Sequence, residues 1–277
     1  MQTVTTLTEL RQARAAFAGR LGLVPTMGFL HAGHLSLVER ARAGCDHVAV
    51  SIFVNPTQFG PGEDLSHYPR DLDRDLALLE SLGVDLVWAP PPEEVYPPGF
   101  QTWVFVEAVT APLEGKHRPG HFRGVATVVA KLFSAFTPQR AYFGQKDAQQ
   151  VVVIRRMVQD LNFPVEVIVC PTVREPDGLA LSSRNTHLGP AERQAATVLY
   201  RALSTARQAF EAGERDAEAL RAGLSSTLAS EPLAREEYVS VAHPETLAEL
   251  SEVGEAGALL SMAVRVGHTR LIDNIVL

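Results

Sequence analysis

The chain has 277 residues, of which 46% are hydrophobic and 21% are charged, a composition typical of a folded globular protein with a large core. Its formal net charge is -7, which repels polyanions and argues against nucleic acid as the main partner. The two cysteines, Cys45 and Cys170, lie far apart in sequence without metal-ligand spacing, so we expect free thiols and a cytoplasmic location. Residues 1–11 lack the basic-then-apolar order of a signal peptide, and the apolar stretch 125–136 is too short to cross a bilayer, so we expect no membrane partner.

Apolar runs alternate with helical patterns through the first part of the chain. This rhythm predicts an α/β fold, with a Rossmann-like parallel sheet joined by crossover helices. In such sheets ligands bind beyond the carboxyl ends of the strands. The predicted strands are 21–24, 48–54, 84–90, 141–143 and 165–170, and the predicted helices are 35–42, 71–83, 124–136 and 149–162.

The pattern changes after residue 185. Two long helical patterns come first, and three strand-like runs follow them. This order predicts a smaller C-terminal α+β domain at residues 173–277, after a nucleotide-binding domain at residues 1–172. The helical patterns cover 190–213 and 216–230, and the strand-like runs cover 237–242, 259–266 and 270–277.

The run Pro-Thr-Met-Gly-Phe-Leu-His-Ala-Gly-His at residues 25–34 joins the first of these predicted strands to a helix. Unpaired N–H groups and the helix dipole at such a turn attract phosphate, and His31 and His34 can donate to the same anion. Two other interpretations are a plain turn and half of a zinc site completed by a carboxylate or Cys45. The order of strand, Thr-Met-Gly, paired histidines and helix favours a nucleotide site.

Three further polar clusters follow predicted strands, at residues 55–59, 144–147 and 174–185. Lys146 can act as a point charge on phosphate, with Asp147 holding a ribose hydroxyl or a cation; alone, the two would be interpreted as a surface ion pair. The clusters follow different strands, so we expect them to converge at one edge of the sheet.

Side chains that suit an anionic substrate recur at this edge. Ser182, Ser183 and Arg184 suit a triphosphate on a loop that can close, although paired serines also cap helices. Gln58 and Gln150 are neutral amides that can orient a hydroxyl-bearing acid. The basic segment 117–124 could serve a carboxylate, a phosphate or a subunit contact.

The run at residues 26–34 resembles the first signature of the nucleotidylyltransferase superfamily, and Leu-Ser-Ser-Arg at 181–184 resembles its mobile-loop signature. More narrowly, the chain is similar along its whole length to the pantothenate synthetase (pantoate–β-alanine ligase) family. The motifs that carry this resemblance lie at 25–34, 53–59, 143–147, 177–185 and 270–274.

The resemblance implies a two-step reaction with the small-molecule partners ATP, pantoate and β-alanine. Pantoyl-adenylate and pyrophosphate form first, and pantothenate and AMP follow. Mg²⁺ would accompany the ATP without a dedicated metal site on the protein, and a homodimer is implied as well. The sequence departs from the family's motifs at two positions: Gln145 stands where the family commonly has Glu, and Leu181 where it commonly has Met. Both departures are mild, because neither residue carries an essential charge in the implied reaction.

The resemblance also implies roles for individual residues. His34 would be the catalytic histidine, with His31 as its partner and Lys146 on phosphate. Gln58 and Gln150 would hold pantoate, with Gln58 also near β-alanine. The residues implied to contact ATP are Met27, Gly28, Phe29, Leu30, His31, Ala32, Gly33, His34, Gly144, Gln145, Lys146, Asp147, Val173, Leu181, Ser182, Ser183 and Arg184.

Other functions remain as alternatives. A nucleotidyl transferase of the same superfamily, acting on another small acid or phosphate, would release pyrophosphate without an amine. A zinc hydrolase built on His31 and His34 and a non-catalytic nucleotide sensor are the other two. A tRNA-charging fragment is disfavoured by the acidic balance.

Overall fold

The computed structural model describes residues 1–60 and 65–277. Its larger sheet has six strands in the order β1-β4-β3-β2-β5-β6, and every neighbouring pair is parallel. The predicted parallel sheet is therefore confirmed. The strands are β1 Gln2–Val4, β2 Leu21–Thr26, β3 His47–Ile52, β4 Leu86–Trp88, β5 Arg140–Gly144 and β6 Glu166–Cys170.

Helices cover both faces of this sheet. They are α1 Leu7–Ala15, α2 Ala32–Gly44, α3 Leu72–Ser81, α4 Pro92–Val95, α5 Glu114–His117, α6 His121–Phe136 and α7 Ala148–Asp160. Successive residues of a strand point to opposite faces, so Leu23 and Ala49 pack against α1, α6 and α7, while Val24 and Val50 pack against α2 and α3. Burial on both faces explains why these strands are nearly continuous apolar runs in the sequence.

A three-stranded antiparallel sheet lies in the C-terminal part of the chain, in the order β7-β8-β9. It shares a second apolar core with three helices, which confirms the predicted smaller α+β region; the division after residue 172 stays a prediction. These elements are α8 Pro190–Ala195, α9 Val198–Glu211, α10 Ala217–Ala229, β7 Ala234–Ala242, β8 Leu259–Val266 and β9 Thr269–Val276.

The structure departs from the sequence prediction in several places. The prediction of a single helix at 190–213 is wrong, because the helix is interrupted between α8 and α9. At this point backbone N–H groups bond to the carbonyl three residues earlier instead of four, from Thr197 N to Gln194 O (3.3 Å) and from Leu199 N to Ala196 O (3.3 Å). The sequence pattern also missed β1, because a three-residue strand is too short to show any periodicity. It missed α1 as well, a nine-residue helix in which only Leu10 and Ala13 are buried.

Ion pairs join the C-terminal sheet to the rest of the molecule. Arg270 of β9 makes a two-pronged pair with Glu114 of α5 (2.7 and 2.8 Å) and a further pair with Glu237 of β7 (2.6 Å). Asp273 of β9, 1% exposed, holds Arg174 in the same two-pronged way (2.6 and 2.8 Å). These contacts place β9 beside the carboxyl edge of the parallel sheet.

Within residues 1–60 and 65–277, the structure has no helix with both the length and the apolar character that crossing a membrane requires.

Candidate active site

The turn between β2 and α2 has the predicted strand-turn-helix form. Helix α2 begins earlier than the sequence pattern indicated, at Ala32 with His31 as its N-cap, so His34 lies inside the first helical turn. Gly28 and Phe29 both have positive φ (78° and 50°), a conformation that glycine adopts without strain and that a phenylalanine adopts only when its surroundings hold it.

Helix α3 holds this turn in place. The buried carboxylate of Asp75, 1% exposed, accepts hydrogen bonds from Phe29 N (2.7 Å) and Leu30 N (2.8 Å). Arg74 donates to Leu30 O (3.0 Å), and its guanidinium lies 5.4 Å from the centre of the Phe29 ring. Two neighbouring residues of α3 therefore fix the backbone that the sequence assigned to phosphate.

The two histidines are fixed in one tautomer by backbone N–H groups. His31 Nδ1 accepts from Gly33 N (3.2 Å), and His34 Nδ1 accepts from His31 N (3.4 Å). Each neutral ring therefore carries its proton on Nε2 and can donate it to a ligand. Burial and the nearby Lys146 lower the pKa of His31 to about 4, and burial and His31 lower the pKa of His34 to about 3. Both rings are therefore neutral donors at neutral pH.

Lys146 and Asp147 lie in a 3-10 turn, Gln145–Asp147, directly after β5. Lys146 Nζ lies 3.3 Å from Asp147 Oδ1. Burial by itself raises the pKa of Asp147, but the Lys146 ammonium outweighs that effect and holds the pKa below its usual value. Asn274 of β9 clamps the turn, because its Nδ2 donates to Gln145 O (3.0 Å) and Lys146 O (2.8 Å), while its Oδ1 accepts from Gln145 Nε2 (3.0 Å).

Gln58 lies at the end of the 3-10 turn Pro56–Gln58 that follows β3. Its Nε2 lies 3.2 Å from the Met27 sulfur, and its Oε1 accepts from Asn55 Nδ2 (3.0 Å). Its backbone carbonyl accepts from His121 Nδ1 (2.9 Å) and, more distantly, from Arg118 (3.4 Å). The structure thus brings the basic segment, whose role the sequence left open, to the predicted substrate amide.

The segment with the paired serines agrees with both interpretations of its sequence, as a helix cap and as part of the cavity wall. Ser182 caps the 3-10 helix Ser183–His187 by accepting from Arg184 N (3.3 Å), as the structural interpretation requires. Leu181 N donates to Val173 O (3.0 Å), which anchors the start of the segment, and Ser182, Ser183 and Arg184 still line the cavity described next.

A cavity of about 230 Å³ lies at the carboxyl edge of the parallel sheet. A second cavity of about 730 Å³ adjoins it and shares Arg118, Lys146, Asp147, Ser182 and Arg184 with it. Five predicted residues do not line the smaller cavity with the others: Gly28, Phe29, Leu30, Ala32 and Gln145. The predicted residues that do line it are Met27, His31, Gly33, His34, Gln58, Gly144, Lys146, Asp147, Gln150, Val173, Leu181, Ser182, Ser183 and Arg184.

The zinc interpretation finds no support in the geometry. Among residues 1–60 and 65–277, no three His, Cys, Asp or Glu side chains are grouped as metal ligands. Cys45, the thiol considered as a completing ligand, instead has its sulfur 3.4 Å from the Tyr142 hydroxyl. The Nδ1 atoms of both histidines are already occupied by backbone N–H groups.

The sequence profile of the family described as pantoate-beta-alanine ligase matches residues 2–276. The chain belongs to this family. Pantothenate synthetase from Chloroflexus aurantiacus is 66% identical over 274 residues, which cover 99% of this chain and 97% of that protein. Pantothenate synthetase from Roseiflexus sp. (strain RS-1) is 65% identical over 277 residues, which cover 100% and 99%.

Solved structures of pantoate–β-alanine ligases have the same fold. Pantothenate synthetase from Thermus thermophilus has a TM-score of 0.95 at 56% identity, and the match covers 99% of each chain. Pantoate-beta-alanine ligase from Francisella tularensis, crystallised with beta-gamma ATP and beta-alanine, has a TM-score of 0.81 at 35% identity, covering 100% of this chain and 97% of that one. These matches confirm the fold class and the family that the motifs predicted.

Sequence reasoning gave no role to three residues that hold this ligase's cavity together, although Asn55 and Asn274 lie within its motifs at 53–59 and 270–274. Asp75 fixes the turn between β2 and α2, Asn274 fixes the turn after β5, and Asn55 contacts Gln58. One signal was available for Asp75, which is a carboxylate on the inward face of an amphipathic helix. Such a side chain is almost always paired when it is buried.

Proposed function

We propose that this pantoate–β-alanine ligase works in two steps through a pantoyl-adenylate. The observation that carries the proposal is the meeting, in one cavity, of two neutral histidine donors and Lys146 with the amide residues Gln58 and Gln150. The histidines and Lys146 suit a polyphosphate, and the neutral amides suit a hydroxy acid. The Francisella tularensis relative, crystallised with beta-gamma ATP and beta-alanine, supports the same pair of substrates.

In the first step, a carboxylate oxygen of pantoate attacks the α-phosphorus of ATP and pyrophosphate leaves. Negative charge grows on the departing oxygen, and preorganised donors stabilise it more than they stabilise the ground state. We assign His34 and His31 to this task through their Nε2–H groups, and Lys146 as a point charge on the phosphates. Because both imidazoles are neutral, they donate without binding the product pyrophosphate as fixed cations.

In the second step, the amine of β-alanine attacks the acyl carbon of the adenylate. The amine must be unprotonated to attack; it loses a proton as the amide bond forms, and AMP leaves with the electrons of the acyl–oxygen bond. Gln58 lies between Met27 of the nucleotide turn and the basic pair Arg118 and His121. That position supports the assignment of Gln58 to pantoate and to the neighbourhood of the incoming amine.

Mg²⁺ fits this arrangement as the companion of ATP. Mg²⁺ usually bridges phosphate oxygens and takes few protein ligands, and the Asp147 carboxylate, 45% exposed, is an oxygen ligand at the edge of the cavity. When bound, the ion would neutralise part of the phosphate charge.

The segment carrying Ser182, Ser183 and Arg184 is assigned to closing over ATP. Ser182 and Arg184 line both cavities and Ser183 lines the smaller one, so a triphosphate would supply the differential binding energy that closure requires. Closure would also exclude water from a reactive acyl-adenylate.

We also propose that the chain forms a homodimer, as the family resemblance implied. Trp103 and Phe105 are 39% and 63% exposed, and large apolar side chains exposed together favour a covered surface. Light scattering of the purified protein measures the mass directly.

The two-step reaction is tested with the purified protein, ATP, Mg²⁺, β-alanine and pantoate labelled with ¹⁸O in its carboxylate. We expect pantothenate, pyrophosphate and AMP, with one labelled oxygen in the AMP, because the attacked phosphorus keeps the pantoate oxygen. AMP without label would refute the adenylate. Pyrophosphate release that needs no pantoate would favour a nucleotidyl transferase with another substrate.

A further inference from the structure

Asn55 lies at the centre of a hydrogen-bond chain that ends on Gln58. It is 1% exposed, and its Oδ1 accepts from the Tyr96 hydroxyl (2.9 Å), Thr57 Oγ1 (2.9 Å) and Thr57 N (3.4 Å). Its Nδ2 donates to Gly124 O (3.2 Å) and Gln58 Oε1 (3.0 Å). Helix α6 comes this close because residue 124 is a glycine, where a Cβ would lie 2.4 Å from Thr57 O.

The direction of this chain is decided by the backbone. Thr57 N–H can only donate and Gly124 C=O can only accept, so the Asn55 amide has one orientation. Gln58 must therefore present its Oε1 to Asn55 and its Nε2 to the other side, where it lies 3.2 Å from the Met27 sulfur. Gln58 consequently faces the cavity as a hydrogen-bond donor.

We propose that Tyr96 is a positioning residue for pantoate: its hydroxyl, a further donor to Asn55 Oδ1, strengthens the orientation that the backbone imposes on Asn55 and so keeps the N–H groups of Gln58 turned toward the substrate. This inference rests on the proposed function. The Tyr96 ring is held outside the cavity by the Phe100 and Trp103 rings, with centroids 5.1 and 6.1 Å away. A rigid aromatic cluster thus fixes the far end of the chain.

The orientation matters because pantoate offers mainly acceptors. A carboxylate has only lone pairs to present, so the NH₂ end of an amide binds it and the oxygen end repels it. If the Gln58 amide rotated by 180°, its carbonyl oxygen would face the acid. Two acceptors that face each other form no hydrogen bond, and both have still given up their hydrogen bonds to water, which costs free energy. The chain from Tyr96 therefore selects for an acid over a neutral analogue with a donor at that place.

The test is Tyr96→Phe, which removes the hydroxyl and keeps the ring packing. We expect KM for pantoate to rise about three- to tenfold, as for the net loss of one hydrogen bond, with KM for ATP within about twofold of the wild-type value. Tyr238→Phe is the matched control, because it also removes a phenol hydrogen bond, to Glu114 Oε1 (2.9 Å), but does not touch the chain to Gln58. We expect it to leave KM for pantoate unchanged.

A second variant, Asn55→Asp, removes the Nδ2 donor, so that Gln58 turns its own NH₂ toward the new carboxylate. We expect a larger rise in KM for pantoate than in Tyr96→Phe, and a weaker preference for pantoate over its primary amide as a competing ligand. Unchanged KM for pantoate in Tyr96→Phe, or an equal rise for ATP, would overturn the inference. If the wild-type protein makes pantothenate, those results in Tyr96→Phe overturn only this inference and leave the proposed function intact. A wild-type protein that makes no pantothenate refutes the function itself.

Discussion

Asp75→Asn is expected to loosen the turn between β2 and α2 while preserving the shape of α3. In the native protein each carboxylate oxygen accepts one backbone N–H, from Phe29 (2.7 Å) and from Leu30 (2.8 Å). An asparagine keeps one acceptor and turns an NH₂ group toward the other N–H. The substitution therefore removes one bond and places two donors face to face in a site that is 1% exposed.

The magnitude follows from these contacts. A hydrogen bond to a charged group contributes about 1.5–3 kcal/mol, and a buried donor without a partner costs about 1–3 kcal/mol. These two effects overlap, so we expect the free energy of unfolding to fall by about 2–4 kcal/mol. The positive φ of Phe29 (50°) is no longer enforced, so the affinity for ATP should fall as well.

Urea unfolding and ATP titration measure the two effects separately. Asp73→Asn is the matched control, because Asp73 is an exposed carboxylate on the first turn of the same helix. Its loss should cost less than about 1 kcal/mol and leave ATP affinity unchanged. Equal, small losses in the two variants would refute the role of Asp75 in holding the turn.

Four further predictions concern the cavity itself. His34→Ala should slow adenylate formation by about 10²–10³, the typical cost of one donor aimed at transition-state charge, as measured by pyrophosphate release in a single turnover. Lys146→Ala should slow adenylate formation far more than the reaction of synthetic pantoyl-adenylate with β-alanine, because the lysine neutralises charge mainly while ATP is attacked. Asn274→Ala should raise KM for ATP, since it frees the two carbonyls that its Nδ2 holds (2.8 and 3.0 Å). Stability should fall as the pH drops from about 6.5 toward 3. The pKa values of His31 and His34 (about 4 and about 3) lie below the unfolded value of 6.5, so the unfolded chain binds more protons than the folded chain in this range.

Each of these has a clear contrary outcome. Normal single-turnover pyrophosphate release in His34→Ala would remove the residue from the first step. Equal slowing of both half-reactions in Lys146→Ala would assign it a general supporting role. For Asn274, the control is Ser261→Ala, its register partner on β8, and equal effects of the two would point to sheet stability alone. A double His31→Gln, His34→Gln variant should flatten the acid loss of stability; an unaltered pH profile would assign that loss to other groups.

The amino-acid sequence by itself determined the parallel sheet except for β1, four of the helices that cover it (α2, α3, α6 and α7) and the edge of the sheet at which the cavity lies. Strands buried on both faces need continuous apolar runs, and the helices between them need apolar residues at helical spacing, so both are visible without a structure. The form of the turn between β2 and α2 was predictable for a similar reason, since its glycine, its paired histidines and the following helix are neighbours in the chain. The roles predicted for single residues in the reaction stay predictions.

Only the tertiary structure decided what holds these turns. Asp75 contacts a backbone 45 and 46 residues away, and Asn274 contacts carbonyls 128 and 129 residues away. A single polar side chain on an apolar face produces no repeating pattern in the sequence. Its hydrogen-bond partner is therefore set by how the helices pack on the sheet. The same holds for the tautomers and lowered pKa values of the histidines and for the amide orientation of Gln58. Each of these depends on which backbone donor or acceptor the fold brings within hydrogen-bond distance.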